Sequence, residues 1–190
     1  MFIFQELKKW DSCKRCPLHK TRRNVVHCRQ KINFVENSDQ TVTFLLVGEA
    51  PGKIEDIYRK PFIAESGKLL DEAIEKTIER NSETTLQFII ANSVGCIPLD
   101  ESNKIRPPSQ TEVDACSKRL ELIDRTISHK KSKFRISIGQ SAKLSKIKFD
   151  LNITHPEAIL RKNGDIDLWI ARFVVTIEDL IKELIPTSNS

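Results

Sequence analysis

The chain has 190 residues, of which 39% are apolar and 30% charged, a balance that fits one soluble globular domain with a sizeable core. No apolar run approaches the roughly 20 residues of a membrane-spanning helix, and Glu6, Lys8 and Lys9 rule out a signal peptide at the start, so an intracellular protein is expected. The net charge of +5 favours an anionic partner such as nucleic acid, although many basic proteins bind nothing anionic.

Phe4 to Trp10 reads as a short helix, and Cys13-Lys14-Arg15-Cys16 follows it in a loop. Pro17 to Gln40 is rich in Lys, Arg, His and Asn, with Val25 to Cys28 or Ile32 to Val35 as candidate edge strands. Phe44 to Val47 is the first firm strand, and it runs into Gly48-Glu49-Ala50-Pro51-Gly52. Two glycines and a proline stop the strand there. Such a turn sits at the carboxyl end of a parallel strand, where open α/β sheets place ligands. Lys53-Ile54-Glu55-Asp56 and Arg59-Lys60-Pro61-Phe62 come next, and Ser66-Gly67 opens a helix to about Arg80. Its apolar stripe is Leu69, Leu70, Ala73, Ile74 and Ile78, at helical spacing.

Leu86 to Ala91 is a second buried strand, ending in Asn92, and Pro98 to Pro108 is a polar loop. Ser109 and Glu112 form a capping box that starts a helix to about Ser128. Phe134 to Ile138 is a third strand, ending at Gly139, and Ser141 to Lys146 a short helix. Leu151 to Thr154 is a fourth strand, ending at His155-Pro156. Ile166 to Ile185 is helical and Pro186 to Ser190 a flexible tail. The alternation predicts a single-domain α/β fold over residues 1–190, a three-layer sandwich whose central, largely parallel four-stranded sheet is flanked by helices. A lone Asn after a strand is usually a turn residue, and a lone His-Pro a loop. Three marked strand ends leaving one sheet edge, at Gly48-Glu49, Asn92 and His155, make a candidate site.

Five cysteines, an odd number, argue against a disulfide framework. The Cys13/Cys16 spacing points two thiolates at one metal, and a redox pair is the weaker alternative because no strand precedes it.

Taken together, Gly48-Glu-Ala-Pro-Gly52, Glu55-Asp56, Pro61-Phe62, Gly67-x-Leu69-Leu70, Asn92-x-Val94-x-Cys96, Pro98, Arg106-x-Pro108, Glu112, Cys116 and His155-Pro156-x-x-x-Leu160-Arg161 resemble the uracil-DNA glycosylase superfamily. The likeness is greatest to family four, the iron–sulfur branch, and covers roughly residues 10 to 162. It implies a monofunctional DNA glycosylase that flips uracil out of DNA and hydrolyses its N-glycosidic bond. It also implies a [4Fe–4S] cluster on Cys13, Cys16, Cys96 and Cys116, with residues 1–40 as a cluster-binding segment and zinc on the same thiolates as runner-up. Cys28 has no counterpart and reads as a buried or idle thiol.

By the same resemblance Phe62 stacks on the flipped base, with a core phenylalanine as the plainer reading, and Asn92 reads uracil O4 and N3–H. His155 donates to uracil O2 as negative charge gathers there, and the Gly48 turn seats the water. Glu49 is the candidate water-positioning carboxylate, with Asp56 the alternative. Lys104 and Arg106 are candidate phosphate contacts. The chain departs from the pattern at Gly95, where Lys is usual, at Glu157, where Ser is usual, and around Phe62 at Lys60, Ile63 and Ala64. These departures leave two further readings: a glycosylase for another modified or deaminated base, and a catalytically weak nucleic-acid-binding member. The expected partner is DNA, bound by a single copy of the chain.

Overall fold

The apolar run that ends in Gly48 lies at the centre of the sheet in a computed structural model, which describes residues 2–36, 38 and 40–184. In chain order the elements are α1 (Phe2–Lys8), β1 (Cys28–Asn33), β2 (Thr41–Gly48), α2 (Lys53–Tyr58), α3 (Glu65–Arg80), β3 (Thr85–Asn92) and α4 (Gln110–Ser128). They continue as β4 (Ser132–Ile138), β5 (Leu151–Ile153), α5 (Pro156–Arg161) and α6 (Ile166–Leu184), with 3-10 turns at Pro17–Lys20 and Ser141–Leu144. Ile185 and the tail from Pro186 lie outside the described residues.

The sheet has five strands in the order β1-β3-β2-β4-β5, not four. β2 to β5 are mutually parallel, and β1 is an antiparallel edge paired with β3 from Cys28↔Ala91 to Asn33↔Leu86. Only Cys28 and Ile32 are apolar in Cys28–Asn33, and its burial merely alternates. Its strand state therefore comes from backbone pairing that no apolar run announces.

β2 carries seven successive buried residues because helices cover both of its faces. Val42, Phe44 and Leu46 point to one layer, with Phe88, Phe134, Leu70 and Ile74 of α3 and Phe173 and Ile177 of α6. The Phe44 ring stacks on Phe88 and Phe134 at 5.0 and 5.7 Å. Leu45 and Val47 point to the other, with Leu7 of α1 and Leu120, Ile123 and Ile127 of α4. The Ser109 cap forms as the sequence predicts, its hydroxyl accepting from the Glu112 N–H and the Glu112 carboxylate from the Ser109 N–H. Among the described residues no helix is long and apolar enough to cross a membrane.

The chain passes from β2 outward to β3, then back over β2 to β4. Such a reversal opens a crevice at the carboxyl ends of the strands. Gly48, Asn92, Gly139 and His155 all lie at that edge.

Candidate active site and cysteine centre

Parallel register places Gly48 directly beside Asn92. A Cβ on Gly48 would lie 2.4 Å from Phe62 Cζ and 2.6 Å from Asn92 Oδ1, so the bare Cα is the floor on which both side chains rest. Asn92 is buried, and its Nδ2 has no hydrogen-bond partner among the described residues. An unsatisfied buried donor costs about 1–3 kcal/mol, and a ligand acceptor would remove that cost.

Phe62 is buried with φ at 53°. A left-handed bulky residue persists only where its surroundings over-determine it. Arg29 on β1 supplies the clamp, donating from Nε to Pro61 O at 2.8 Å and from Nη2 to Phe62 O at 2.9 Å. Its Nη1 lies 2.8 Å from Asp71 of α3, an ion pair off the hydrogen-bond direction. Gly67 completes the seat, since a Cβ there would come within 2.0 Å of the Phe62 carbonyl oxygen. The Phe62 ring stacks on His155 at 5.5 Å. Rings in mutual contact leave no slot between them, so a planar ligand meets the outer face of Phe62 or the edge of His155.

His155 is the N-cap of α5, and its Nδ1 accepts from the Glu157 N–H at 3.1 Å. That bond occupies the Nδ1 lone pair, so the neutral ring carries its proton on Nε2. Burial pushes the imidazole below its ordinary range; Glu157 opposes this and Arg161 adds to it. His155 therefore stands as a neutral donor at neutral pH. Upstream, Trp169 Nε1 holds Thr154 O at 3.0 Å, and Gly139, at φ 84°, packs 3.2 Å from His155 Cβ where a Cβ would point.

The three carboxylates near the turn do different things. Asp56 is buried and accepts from the backbone N–H groups of Arg23 and Asn24 at 2.9 to 3.1 Å, which pins the amino-terminal segment and withdraws it from solvent chemistry. Glu55 accepts from the N–H of Gly52, and the backbone amides of Phe62 and Ile63 favour its charged form, which relates the turn to the Phe62 segment. Burial still lifts its carboxyl above the ordinary range. Glu49 is half-buried, and among the described residues its side chain makes no hydrogen bond.

At the opposite side of the turn, Leu18, Val25, Val94, Cys96 and Val113 form a small apolar cluster with Cys16, Ala50 and Cys116 against it. Val26 N–H donates to Gly95 O at 2.7 Å and ties the amino-terminal segment to the exit of β3. All five cysteines are free thiols, and among the described residues no three potential ligands form a closed ion cage. The thiols nevertheless sense one another. Burial raises Cys16, and Cys116 and Cys13 raise it further; burial pushes Cys96 up to about 12, with Cys116 and Cys16 adding to it.

Cations surround them. Arg22 lowers Cys96, donates to Asp11 O and Cys13 O, and keeps a buried Nε without a partner. Arg119 donates from Nε to Cys116 Sγ at 3.3 Å, and the Gly95 N–H reaches the same sulfur at 3.4 Å. Soft thiols backed by buried cations with an unfilled donor fit an anionic metal–thiolate centre. Cys28 stands apart on β1, its thiol pushed up to about 11 by burial, and packs against the second core layer.

One sequence expectation changes. Arg106 is not a free phosphate contact: both its terminal nitrogens bond the Glu112 carboxylate, at 2.8 and 2.6 Å, closing the loop that begins at Pro98. Of the departures from the pattern, Glu157 pairs with Arg161 at 3.1 Å, and at Gly95 a Cβ would lie 2.9 Å from Arg119 Nε and 3.1 Å from Val26 O. Lys104 is exposed. Sequence reasoning passed over Arg29 and Arg119, and gave Glu55 and Gly139 no role beyond a motif position and a strand end. Arg29 and Arg119 read as ordinary surface charges, and only their burial and carbonyl partners mark them.

A family model described as the uracil DNA glycosylase superfamily matches residues 35–180. Curated proteins named type-4 uracil-DNA glycosylase are similar to the chain. The one from Pyrobaculum aerophilum is 34% identical over 105 residues, 55% of this chain and 45% of that protein. Its counterpart from Archaeoglobus fulgidus is 29% identical over 159 residues, 83% of this chain and 70% of that protein. The one from Saccharolobus solfataricus is 36% identical over 118 residues, 62% of this chain and 46% of that protein. The chain thus spans about half the length of the first and third of these relatives.

Proposed function

Because the chain belongs to the uracil-DNA glycosylase superfamily, we propose that it hydrolyses the N-glycosidic bond of uracil in DNA, as a monofunctional enzyme of base excision repair. The observation that carries this reading is a pair of donors beside a flat aromatic wall: the unpartnered Nδ2 of Asn92 and the Nε2–H of a neutral His155, next to Phe62. A planar base with two carbonyl oxygens satisfies both donors, and uracil has them at O4 and O2. Cytosine would set an amino group against the Asn92 amide, leaving buried polar groups unpaired.

In this reading the base leaves the stack and lies on Phe62, which discriminates by shape and stacking. A water at the Gly48–Gly52 turn, oriented by Glu49, bonds its oxygen to C1′ as the C1′–N1 bond breaks, and releases its spare proton to solvent. The electron pair departs with the base, and charge collects at O2, where His155 Nε2–H donates. Removing one such donor costs roughly 100- to 1,000-fold in rate. Glu49 takes this role over Asp56, whose oxygens are already committed to Arg23 and Asn24. The site is closed in this state, with Phe62 and Asn92 buried, so base entry displaces part of that packing.

Cys13, Cys16, Cys96 and Cys116 would hold a [4Fe–4S] cluster, which cross-links residues 1–40 to the β3 exit and to α4; zinc on the same thiolates is the alternative. Lys104 at the loop tip is offered to DNA phosphates. One copy of the chain acts inside the cell.

The test is incubation of anaerobically purified protein with uracil- and thymine-containing oligonucleotides, followed by alkaline cleavage, beside His155→Ala and Asn92→Ala. Strand scission at uracil alone, lost in both variants, is expected. A cluster-loaded wild-type protein that leaves uracil DNA intact overturns the reading.

A further inference from the structure

Arg119 is a fully buried guanidinium in the third turn of a surface helix. No carboxylate pairs with it among the described residues; the nearby Asp11 bonds His27 instead. Its donors go elsewhere. Nη2 bonds the backbone oxygen of Asn92, Nη1 bonds His27 O at 3.1 Å and Val26 O at 3.3 Å, and Nε bonds Cys116 Sγ. A buried cation with neutral partners is costly, and an anion at the fourth contact relieves that cost. Cys116 becomes that anion when it ligates a metal, since the ligand is the thiolate.

One rigid planar group therefore spans the base reader and the cysteine centre. Arginine suits this, because its fork holds several acceptors at fixed angles. The fit is tight from behind as well: Gly95 has no room for a Cβ because Arg119 Nε would lie 2.9 Å from it. The chain thus carries a cation at Cys116 from α4 and keeps position 95 bare.

Resting on the glycosylase reading above, we infer that Arg119 is a positioning residue that couples the cysteine centre to Asn92. A metal-bound Cys116 fixes the Arg119 Nε, and Nη2 in turn fixes the Asn92 carbonyl and the plane of its side chain. Loss of the cluster releases the reader even though no cysteine touches the base.

The experiment uses the cluster-loaded protein, Arg119→Lys and Gly95→Ala. Hydrogen exchange over residues 90–96 is measured before and after oxidative removal of the cluster. In wild type, removal speeds exchange of this segment by about tenfold or more. In Arg119→Lys the segment already exchanges fast, and removal adds little. With uracil DNA, Arg119→Lys lowers kcat by about 10- to 100-fold, the range for lost outer-shell partners, with KM nearly unchanged.

Additive effects on exchange, wild-type protection that ignores cluster removal, or a wild-type protein that holds no cluster each overturn the coupling. If wild type cuts no uracil DNA, the glycosylase reading fails, and the exchange comparison still decides the role of Arg119. If Arg119→Lys does not fold, Gly95→Ala presses on the same Nε from the other side and is expected to reproduce the exchange pattern. Wild-type exchange and kinetics in Gly95→Ala would then overturn the coupling.

Discussion

Gly48→Ala removes no functional group, yet it is expected to damage both stability and chemistry. The new methyl would lie 2.4 Å from Phe62 Cζ, 2.7 Å from Phe62 Cε2 and 2.6 Å from Asn92 Oδ1. Carbon atoms rest comfortably at about 3.5–4.0 Å, so the ring must retreat by roughly 1 Å or more. It cannot do so freely, since Arg29 holds both carbonyls of the Pro61–Phe62 turn and Gly67 lies beneath it. Overpacking of this kind costs about 1–3 kcal/mol. For a chain of this size each kcal/mol shifts Tm by about 2–4 °C, so a fall of about 2–12 °C is expected in thermal denaturation.

The chemical loss is of similar size. A displacement near 1 Å of the wall and reader costs on the order of 100-fold in single-turnover excision of uracil. Adding Phe62→Leu removes the ring atoms that the methyl strikes and leaves the Asn92 Oδ1 contact. Gly48→Ala should therefore lower the melting temperature less in the Phe62→Leu background than in the wild type, while excision stays low. A Gly48→Ala protein with wild-type Tm and wild-type excision would refute the proposed packing of Phe62 and Asn92 on this glycine.

Gly67→Ala should be more severe than Gly48→Ala, because its Cβ meets a backbone oxygen at 2.0 Å rather than a movable ring; equal melting temperatures would contradict this. The folded protein binds a proton at His155 less readily than the unfolded chain, whose imidazole titrates near 6.5. Its contribution to stability is therefore complete above about pH 6.5 and is lost as pH falls from there through the lower folded value. Excision should be level through neutral pH and decline on the acid side with a midpoint below 6.5; a midpoint above 6.5 in the pH–rate profile would count against the neutral-donor assignment. Arg106→Gln should destabilise the fold by about 1–3 kcal/mol by stranding the buried Glu112 carboxylate, while the salt dependence of DNA binding stays at the wild-type slope. A shallower slope at wild-type stability would return Arg106 to the phosphate contacts. Cys96→Ser should purify without the broad visible absorbance of an iron–sulfur centre, and retention of that absorbance would remove Cys96 from the ligand set.

The sequence by itself determined the parallel strands, the Ser109 cap and the edge of the sheet that carries the candidate site. Each rests on short-range chemistry: a continuous apolar run cannot face water, a Ser-x-x-Glu box satisfies helix donors locally, and glycines mark where a strand must stop. The same logic placed Gly48, Asn92 and His155 at one edge, because parallel strands deliver their ends to one side. The tertiary structure alone decided the fifth strand, since Cys28–Asn33 acquires its state from the β3 backbone rather than from its own side chains. It also decided what each charged residue does. Arg29, Glu55, Asp56, Arg106 and Arg119 look alike in sequence as charged residues. Folding commits Arg29 to the Phe62 turn, Asp56 to the amino-terminal segment, Arg106 to Glu112 and Arg119 to Asn92 and Cys116. The physical reason is that a charge declares its role through burial and partners, and the partners of these four residues lie from 3 residues away, for Cys116, to 33 for Phe62 and Asp56.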